Sequence, residues 1–410
     1  MSLFGLLRLP ASIVFGSGQR AVVAPTVARL GSRALVCTDA RLGREPVFHT
    51  LLNELAQAGV TTKVFDRTEP DLPIASIDEC LADVGTFKPD VVIGIGGGSC
   101  MDMAKAVALL ITHGGRPEDY YGENKVPGPL VPIVAIPTTA GTGSEVTPVA
   151  VLGDTARNTK VGISSPYLIP TVAVCDPELT VTCPPTITAV SGADALTHAV
   201  ESFTAAARTV TPRLSIDNVF VGKNVLSDQF ALLAITSIWK SLHRAYTDGK
   251  DIEAREHMML ASLAAGCSFG TAGTAAAHAI QYPVGNDTHT AHGAGVALLL
   301  PYVMEYNRPS SVSAYAAIAR AVGLDAGGGK SDEQLSFEVI DAIAALLASI
   351  DIPRTLKDLG LAEARQDWTA ESAIGIARLV NNNPRKIDLD AMRRITRAAF
   401  SGDRLSLRAS

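Results

Sequence analysis

From Ala34 to Leu110 the sequence alternates between short apolar runs and longer stretches with helical periodicity: ALVCTDA, REPVFHTLLNELAQAG, VTTKVFD, PIASIDECLADVGTF and DVVIGIG, closing on GGSCMDMAKAVALL. Strands apolar on both faces need cover on both faces, and the amphipathic helices between them supply it. The pattern predicts a parallel sheet with helices on each side, an α/β domain. Further strand-like runs, PLVPIVAIPTT, VGIS and PTVAVCDP, carry the domain to Pro185.

After CPP at 183–185 the texture changes. TITAVSGADALTHAVESFTAA and nearly everything beyond it repeats with a period near 3.6 and is rich in Ala, Leu and Ile, so the second half reads as all-α. The expected fold class is α/β plus all-α: a Rossmann-like nucleotide-binding domain over 1–185 and a helical domain over 186–410. A length of 410 residues accommodates this division at roughly 150 residues per domain. No long Pro/Gly/Ser linker separates the halves, so direct packing around a ligand cleft is expected.

Composition narrows the partners. A net charge of -6 and a pI of about 5.8, with no block of consecutive Lys or Arg, exclude sequence-independent attraction to nucleic acid or an anionic membrane surface. The six cysteines show no C-x-x-C spacing, against a zinc ribbon or redox dithiol. No uncharged apolar run reaches the roughly 18 to 20 residues of a membrane span, and Arg8 and Pro10 interrupt what a signal peptide would keep apolar. A reducing, cytoplasmic setting is expected.

The run GIGGGSCMD turns a strand sharply into a helix. Helix N-termini expose unpaired N–H groups and positive dipole, and glycines let an anion approach them, so a phosphate is expected there. The spacing is not G-x-G-x-x-G, because Ser99 holds the last glycine position, and Ser99 with Asp102 could instead form a capping-box pair that merely starts the helix. A second segment, IPTTAGTGSEVT, adds hydroxyls at Thr138, Thr139, Thr142 and Ser144, suited to a pyrophosphate and ribose. Asp39, ending the first strand of the series, stands where an acid bonds a ribose 2′-hydroxyl and repels a 2′-phosphate; its alternative role is a loop cap.

In SGADALTHAVESF, Asp194 and His198 are four residues apart on a helical pattern and share a face. AAAHAIQYPVGNDTHTAHGAG holds His278, His289 and His292, with Pro283 and Gly285 expected to break the first helix so the chain folds back. Four of the eight histidines fall in these two segments. One carboxylate with three imidazoles suits Fe2+, Zn2+ or a similar ion with room for a substrate oxygen, a Lewis acid.

Together, GGGSCMDMAK, PTTAGTGSEVT, DPELT, GADALTHAVE and the His278 to His292 spacing ending in HGAGVALLLP resemble the iron-containing, or group III, alcohol dehydrogenases over nearly the whole chain. The resemblance implies a dehydroquinate synthase-like architecture in which an N-terminal NAD(P)-binding domain and a C-terminal metal-binding domain meet at a cleft. It places the metal ligands, and with them the catalytic centre, on Asp194, His198, His278 and His292. Pyrophosphate contacts fall on Gly97, Gly98 and Ser99, further cofactor contacts on Thr138, Thr139, Thr142 and Lys160, and an NAD preference on Asp39. The activity implied is metal-dependent, NAD-linked oxidation of a small alcohol or reduction of an aldehyde, with a homodimer or larger assembly built through ASIVFGSG. Two positions depart from the family: Tyr282 stands where many relatives carry a second histidine, and Asp71 replaces an Asn. Tyr282 keeps a hydroxyacid-oxoacid transhydrogenase as the alternative, ahead of a dehydroquinate synthase-like lyase. Tyr282, His289 and water relayed from the cofactor ribose are the candidate bases.

Overall fold

Six strands, β1 (Ser12–Phe15), β2 (Arg33–Cys37), β3 (Thr61–Phe65), β4 (Val91–Gly96), β6 (Ile133–Pro137) and β9 (Val172–Cys175), pair in parallel in the order β1-β9-β6-β4-β2-β3. Their side chains alternate between two cores. Leu35, Cys37 and Val92 enter one, with Ile77, Cys80 and Val84 of α3 (Ile74–Val84) and Met103 and Val107 of α4 (Gly98–His113). Ala34, Val36, Val91, Ile93 and Ile95 enter the other, with Val23 and Val27 of α1 (Val23–Leu30) and Phe48, Leu51 and Leu55 of α2 (Pro46–Gln57). The double-sided burial that the apolar runs demand is thus satisfied by helices on both faces.

In this computed structural model, which describes residues 3–157 and 159–409, the sheet belongs to a unit of Arg8–Cys183 together with Arg213–Val219. The latter segment holds the short helix α6 (Leu214–Asp217). The chain runs from β2 to β3 in one direction and then crosses back to β4 on the other side of β2. The carboxyl ends of β2 and β4 therefore flank the topological switch point, where open α/β sheets bind ligands.

The VGIS run does not join this sheet. As part of β8 (Thr159–Ser164) it pairs antiparallel with β7 (Val149–Asp154) and parallel with the short β5 (Gly122–Glu123) in a separate three-stranded sheet. Residues of β7 alternate between half-buried and buried, whereas β4 is buried throughout. A strand covered on one face only is suited to an antiparallel pair.

The second unit comprises Pro184–Pro212 and Phe220–Ser410 with the segment ending at Leu7. Its helices are α5 (Pro185–Thr204), α7 (Val225–Thr247), α8 (Ile252–Ala272), α9 (Ala276–Thr288), α10 (His292–Ala321), α11 (Asp332–Ser349), α12 (Gln366–Ile374), α13 (Ala377–Val380) and α14 (Leu389–Ser401). Residues 192–204 of α5 are all buried, so this helix lies in the core and its polar side chains must be satisfied there. Pro283 does not break α9 as the sequence suggests. The helix continues through Pro283 and Gly285 to Thr288, and the chain turns only at His289, which takes a left-handed φ of 54°. An internal proline costs about 3 kcal/mol, and burial of α9 from Ala276 to Gln281 and at Val284 offsets it. Among the described residues no helix is long and apolar enough to cross a membrane.

Candidate metal centre and nucleotide cradle

Asp194 and His198 lie one turn apart on α5, His278 is in the first turn of α9, and His292 opens α10. Their packing makes Asp194 Oδ1 a hub: His198 Nε2 is 3.6 Å away, His278 Nε2 3.9 Å and His292 Nε2 3.9 Å. One ligand atom from each of Asp194, His278 and His292 falls within 4.8 Å of the others. Donors sharing a tetrahedral zinc-like ion sit ~3.4 Å apart, so modest contraction would close the set. His278 Nε2 is buried and makes no hydrogen bond, which fits a lone pair kept for a cation. Buried carboxylates are also paired or metal-bound as a rule. Gly293 permits the approach of α10, because a Cβ there would lie 2.1 Å from the Val190 carbonyl of α5.

The phenyl ring of Phe269 stacks on His198 with centroids 4.1 Å apart, and His198 in turn stacks on His278 at 4.8 Å. Phe269 is therefore a wall of the imidazole cluster; Gly266 and Cys267 are buried on the same helix. His289 is exposed at the end of α9, whereas the Tyr282 ring lies 6.2 Å from that of His292.

Glu201 was not singled out by the sequence reading. Its Oε2 accepts from the Ala275 N–H at 2.8 Å and contacts His278 Nδ1 at 2.7 Å, while Oε1 accepts from the Ala277 N–H at 2.7 Å. The signal was present: Asp194, His198 and Glu201 follow i, i+4, i+7 on one helix face.

In the α/β unit, α4 opens at Gly98 with Gly97 as its cap and no side-chain cap bond. The Ser99–Asp102 capping pair is therefore not formed. Asp102 instead accepts from Ser144 Oγ at 2.6 Å and from the Val151 N–H at 3.0 Å. The Thr138 N–H donates to the Gly96 carbonyl at 2.9 Å, drawing the hydroxyl-rich loop against the glycine turn. A Cβ on Gly98 would stand 2.7 Å from Thr142 Cγ2. Gly98→Ala is accordingly expected to cost about 1–3 kcal/mol, read as a lower melting temperature and weaker NAD binding. A Thr142→Ser second change, deleting that methyl, should recover much of it. An unshifted melting temperature in the single variant would remove the steric argument.

Asp39 Oδ1 accepts from the N–H groups of Arg41 and Leu42 at 2.9 Å each, so the loop-cap role is real, while Oδ2 lies 3.8 Å from Cys100 Sγ. Lys160 Nζ is 2.6 Å from Asp71 Oδ1, pairing the candidate cofactor lysine with the acid that departs from the family.

Lys105 is fully buried one turn after Asp102. Its ammonium donates to Ser144 Oγ, to both oxygens of Thr147 and to the Val149 carbonyl at 2.8–3.3 Å, which fastens the hydroxyl-rich segment to α4. Burial pulls it down to about 8 against the opposing charges of Asp102 and Glu145. Burial likewise lifts the Glu145 carboxyl to about 7 against its own backbone N–H and Lys105. The folded chain then holds a proton on Glu145 that the unfolded chain releases. That stabilisation is complete below pH 4.5 and lost as pH rises to about 7. Glu145→Gln should abolish this loss, on the order of 3 kcal/mol, leaving the variant more stable than the wild type at pH 7.5 by thermal melts. Parallel curves for the two proteins between acid and neutral pH would contradict it.

A doubly wound sheet with a glycine turn at its switch point, followed by helices that gather one carboxylate and three imidazoles, describes a metal-dependent nucleotide oxidoreductase. The chain belongs to the iron-containing alcohol dehydrogenases: that family's pattern matches residues 10–177, and the family's C-terminal pattern matches 188–400. It is similar to long-chain-alcohol dehydrogenase 1 of Geobacillus thermodenitrificans, 36% identical over 98% of both chains. Among solved structures, a 1,3-propanediol oxidoreductase superposes with a TM-score of 0.90 at 33% identity, over 97% of this chain and 100% of that one. Sulfoacetaldehyde reductase from Bifidobacterium kashiwanohense, solved in complex with NAD+, superposes with a TM-score of 0.81 at 28% identity, over 98% of this chain and 99% of that one. The protein is an oxidoreductase of alcohols and aldehydes, of a family that uses a metal and NAD(H).

Proposed function

We propose that this protein is an NAD-linked, Fe2+-dependent alcohol dehydrogenase and aldehyde reductase, with Zn2+ as a substitute ion. The carrying observation is the convergence of three imidazole Nε2 atoms within 3.9 Å of Asp194 Oδ1 in a buried helical core. A divalent ion held by Asp194, His198, His278 and His292 supplies Lewis acidity toward the oxygen of an alcohol or carbonyl, and NAD supplies the hydride acceptor. Asp194 brings the anionic ligand, and the neutral imidazoles leave the ion positive enough to polarise substrate. Phe269 covers one face of the His198 ring with an apolar surface.

Gly97, Gly98 and Ser99 offer α4's first N–H groups to a pyrophosphate. Thr138, Thr139 and Thr142 present hydroxyls beside them, Lys160 a cation, and Asp39 Oδ2 an acceptor for a ribose hydroxyl. Tyr282, near His292, is better placed than the exposed His289 to carry the substrate proton. The open edge of β1 suits a homodimer or larger assembly, and light scattering reporting a 42.8 kDa particle would count against that. No disulfide joins the six buried cysteines, in keeping with a reducing cytoplasmic location.

The test is a panel of primary alcohols of increasing chain length, diols and aldehydes, followed by NADH absorbance with added Fe2+ or Zn2+. Metal-stimulated turnover of at least one alcohol–aldehyde pair is expected. No turnover with any of them, alongside hydroxyacid-to-oxoacid exchange without added NAD, would replace this reading with the transhydrogenase.

A further inference from the structure

We propose that Glu201 is the positioning residue of the metal centre, holding His278 as its Nδ1–H tautomer and thereby directing the Nε2 lone pair at the ion. This rests on the metal reading above. A neutral imidazole carries its proton on one nitrogen, and the partner of the other nitrogen decides which. The partner here is unusually restrictive. Glu201 is 2% exposed, and its two oxygens face three nitrogens: the backbone N–H groups of Ala275 and Ala277, at 2.8 and 2.7 Å, and His278 Nδ1 at 2.7 Å. Backbone N–H groups can only donate, so both carboxylate oxygens already act as acceptors. At Oε2 the ring nitrogen completes the set by donating as well. His278 Nε2, the nitrogen 3.9 Å from Asp194 Oδ1, is then left with its lone pair.

Glu201 also fixes where the ring stands. The first residue before α9, Ala275, provides no side-chain cap, and the start of a helix leaves N–H groups and positive dipole to be satisfied. Glu201 meets both needs from a different helix. It ties the beginning of α9 to α5, the helix that carries Asp194 and His198. One carboxylate thus orients the imidazole and holds the two helices that present the ligands. Glu201 also places a second buried carboxylate beside the cluster, behind His278 and not among the ligand atoms.

The test uses the full chain stripped of metal, with Zn2+ affinity measured by competition with a chelating dye. Ring tautomers are read by 15N NMR after histidine-selective labelling, and the His278 signals are identified by their loss in His278→Ala. The wild type should show Nδ1–H at His278. Glu201→Gln, which keeps the volume but turns an amide N–H toward one of the three donors, should weaken Zn2+ binding tenfold to a hundredfold and shift His278 toward Nε2–H. A merely structural glutamate would lower the melting temperature of the metal-free protein and leave the tautomer unchanged, which would overturn the proposal. Equal affinity and tautomer in wild type and Glu201→Gln would overturn it also. Should the variant not fold, Nε2–H at His278 in the wild type alone suffices to reject it. A wild type that binds Zn2+ no better than His278→Ala would instead sink the metal reading itself.

Discussion

Replacing His278 with Ala is expected to abolish alcohol oxidation, lowering kcat/KM by a thousandfold or more, and to strip most of the metal. His278 Nε2 is buried without a hydrogen bond and stands with His292 and His198 around one carboxylate oxygen. Removing one ligand from a small set leaves the others too few to retain the ion. Loss of Lewis-acid assistance costs several kcal/mol, and about 4 kcal/mol corresponds to roughly a thousandfold in rate. His292→Ala should behave alike, because it opens a different helix onto the same point. Full metal occupancy by elemental analysis in both variants would take these residues out of the site.

The second large effect concerns cofactor choice. The protein is expected to prefer NAD over NADP by tenfold or more, and Asp39→Asn should narrow the ratio mainly by improving NADP. The Asn variant is the informative one, because Asp39 Oδ1 caps the turn through Arg41 and Leu42. Asn keeps that acceptor while removing the charge. Two unit charges ~4 Å apart at an effective dielectric near 20 repel by about 4 kcal/mol, and 1.4 kcal/mol is already tenfold in affinity. The neighbouring Arg41 guanidinium lies 3.3 Å from Glu45, so its charge is shared and relieves little of that repulsion. Equal use of NAD and NADP by the wild type, or an unchanged ratio in Asp39→Asn, would reduce Asp39 to its capping role.

The same residues mark how far the primary structure carries. Alternating apolar strands and amphipathic helices from Ala34 onward made the parallel sheet readable, because each strand's two-sided burial is a local property of its composition. The β7–β8 pair was less readable: VGIS is too short a run to reveal whether one face or two will be covered. Pro283 misled for a related reason. Its local cost argues for a break, but the burial of the surrounding α9 residues decides whether that cost is borne.

At the site, the four-residue spacing of Asp194 and His198 is a property of any helix, and the sequence by itself determined that they share a face. The sequence placed the break between His278 and His292 at Pro283 and Gly285, whereas the chain turns only at His289. That the Nε2 atoms of His278 and His292 converge on Asp194 Oδ1 depends on Gly293 letting α10 approach Val190. That His278 is held through Nδ1 depends on Glu201 reaching across from α5. Lys105 carries no signal of its own in the sequence, and only folding buries it and commits its donors to Ser144, Thr147 and Val149. Periodicity, turn chemistry and residue type are set within a few positions of chain, whereas ligand convergence, tautomer and burial of charge belong to contacts between segments dozens of residues apart, which exist only once the helices have packed.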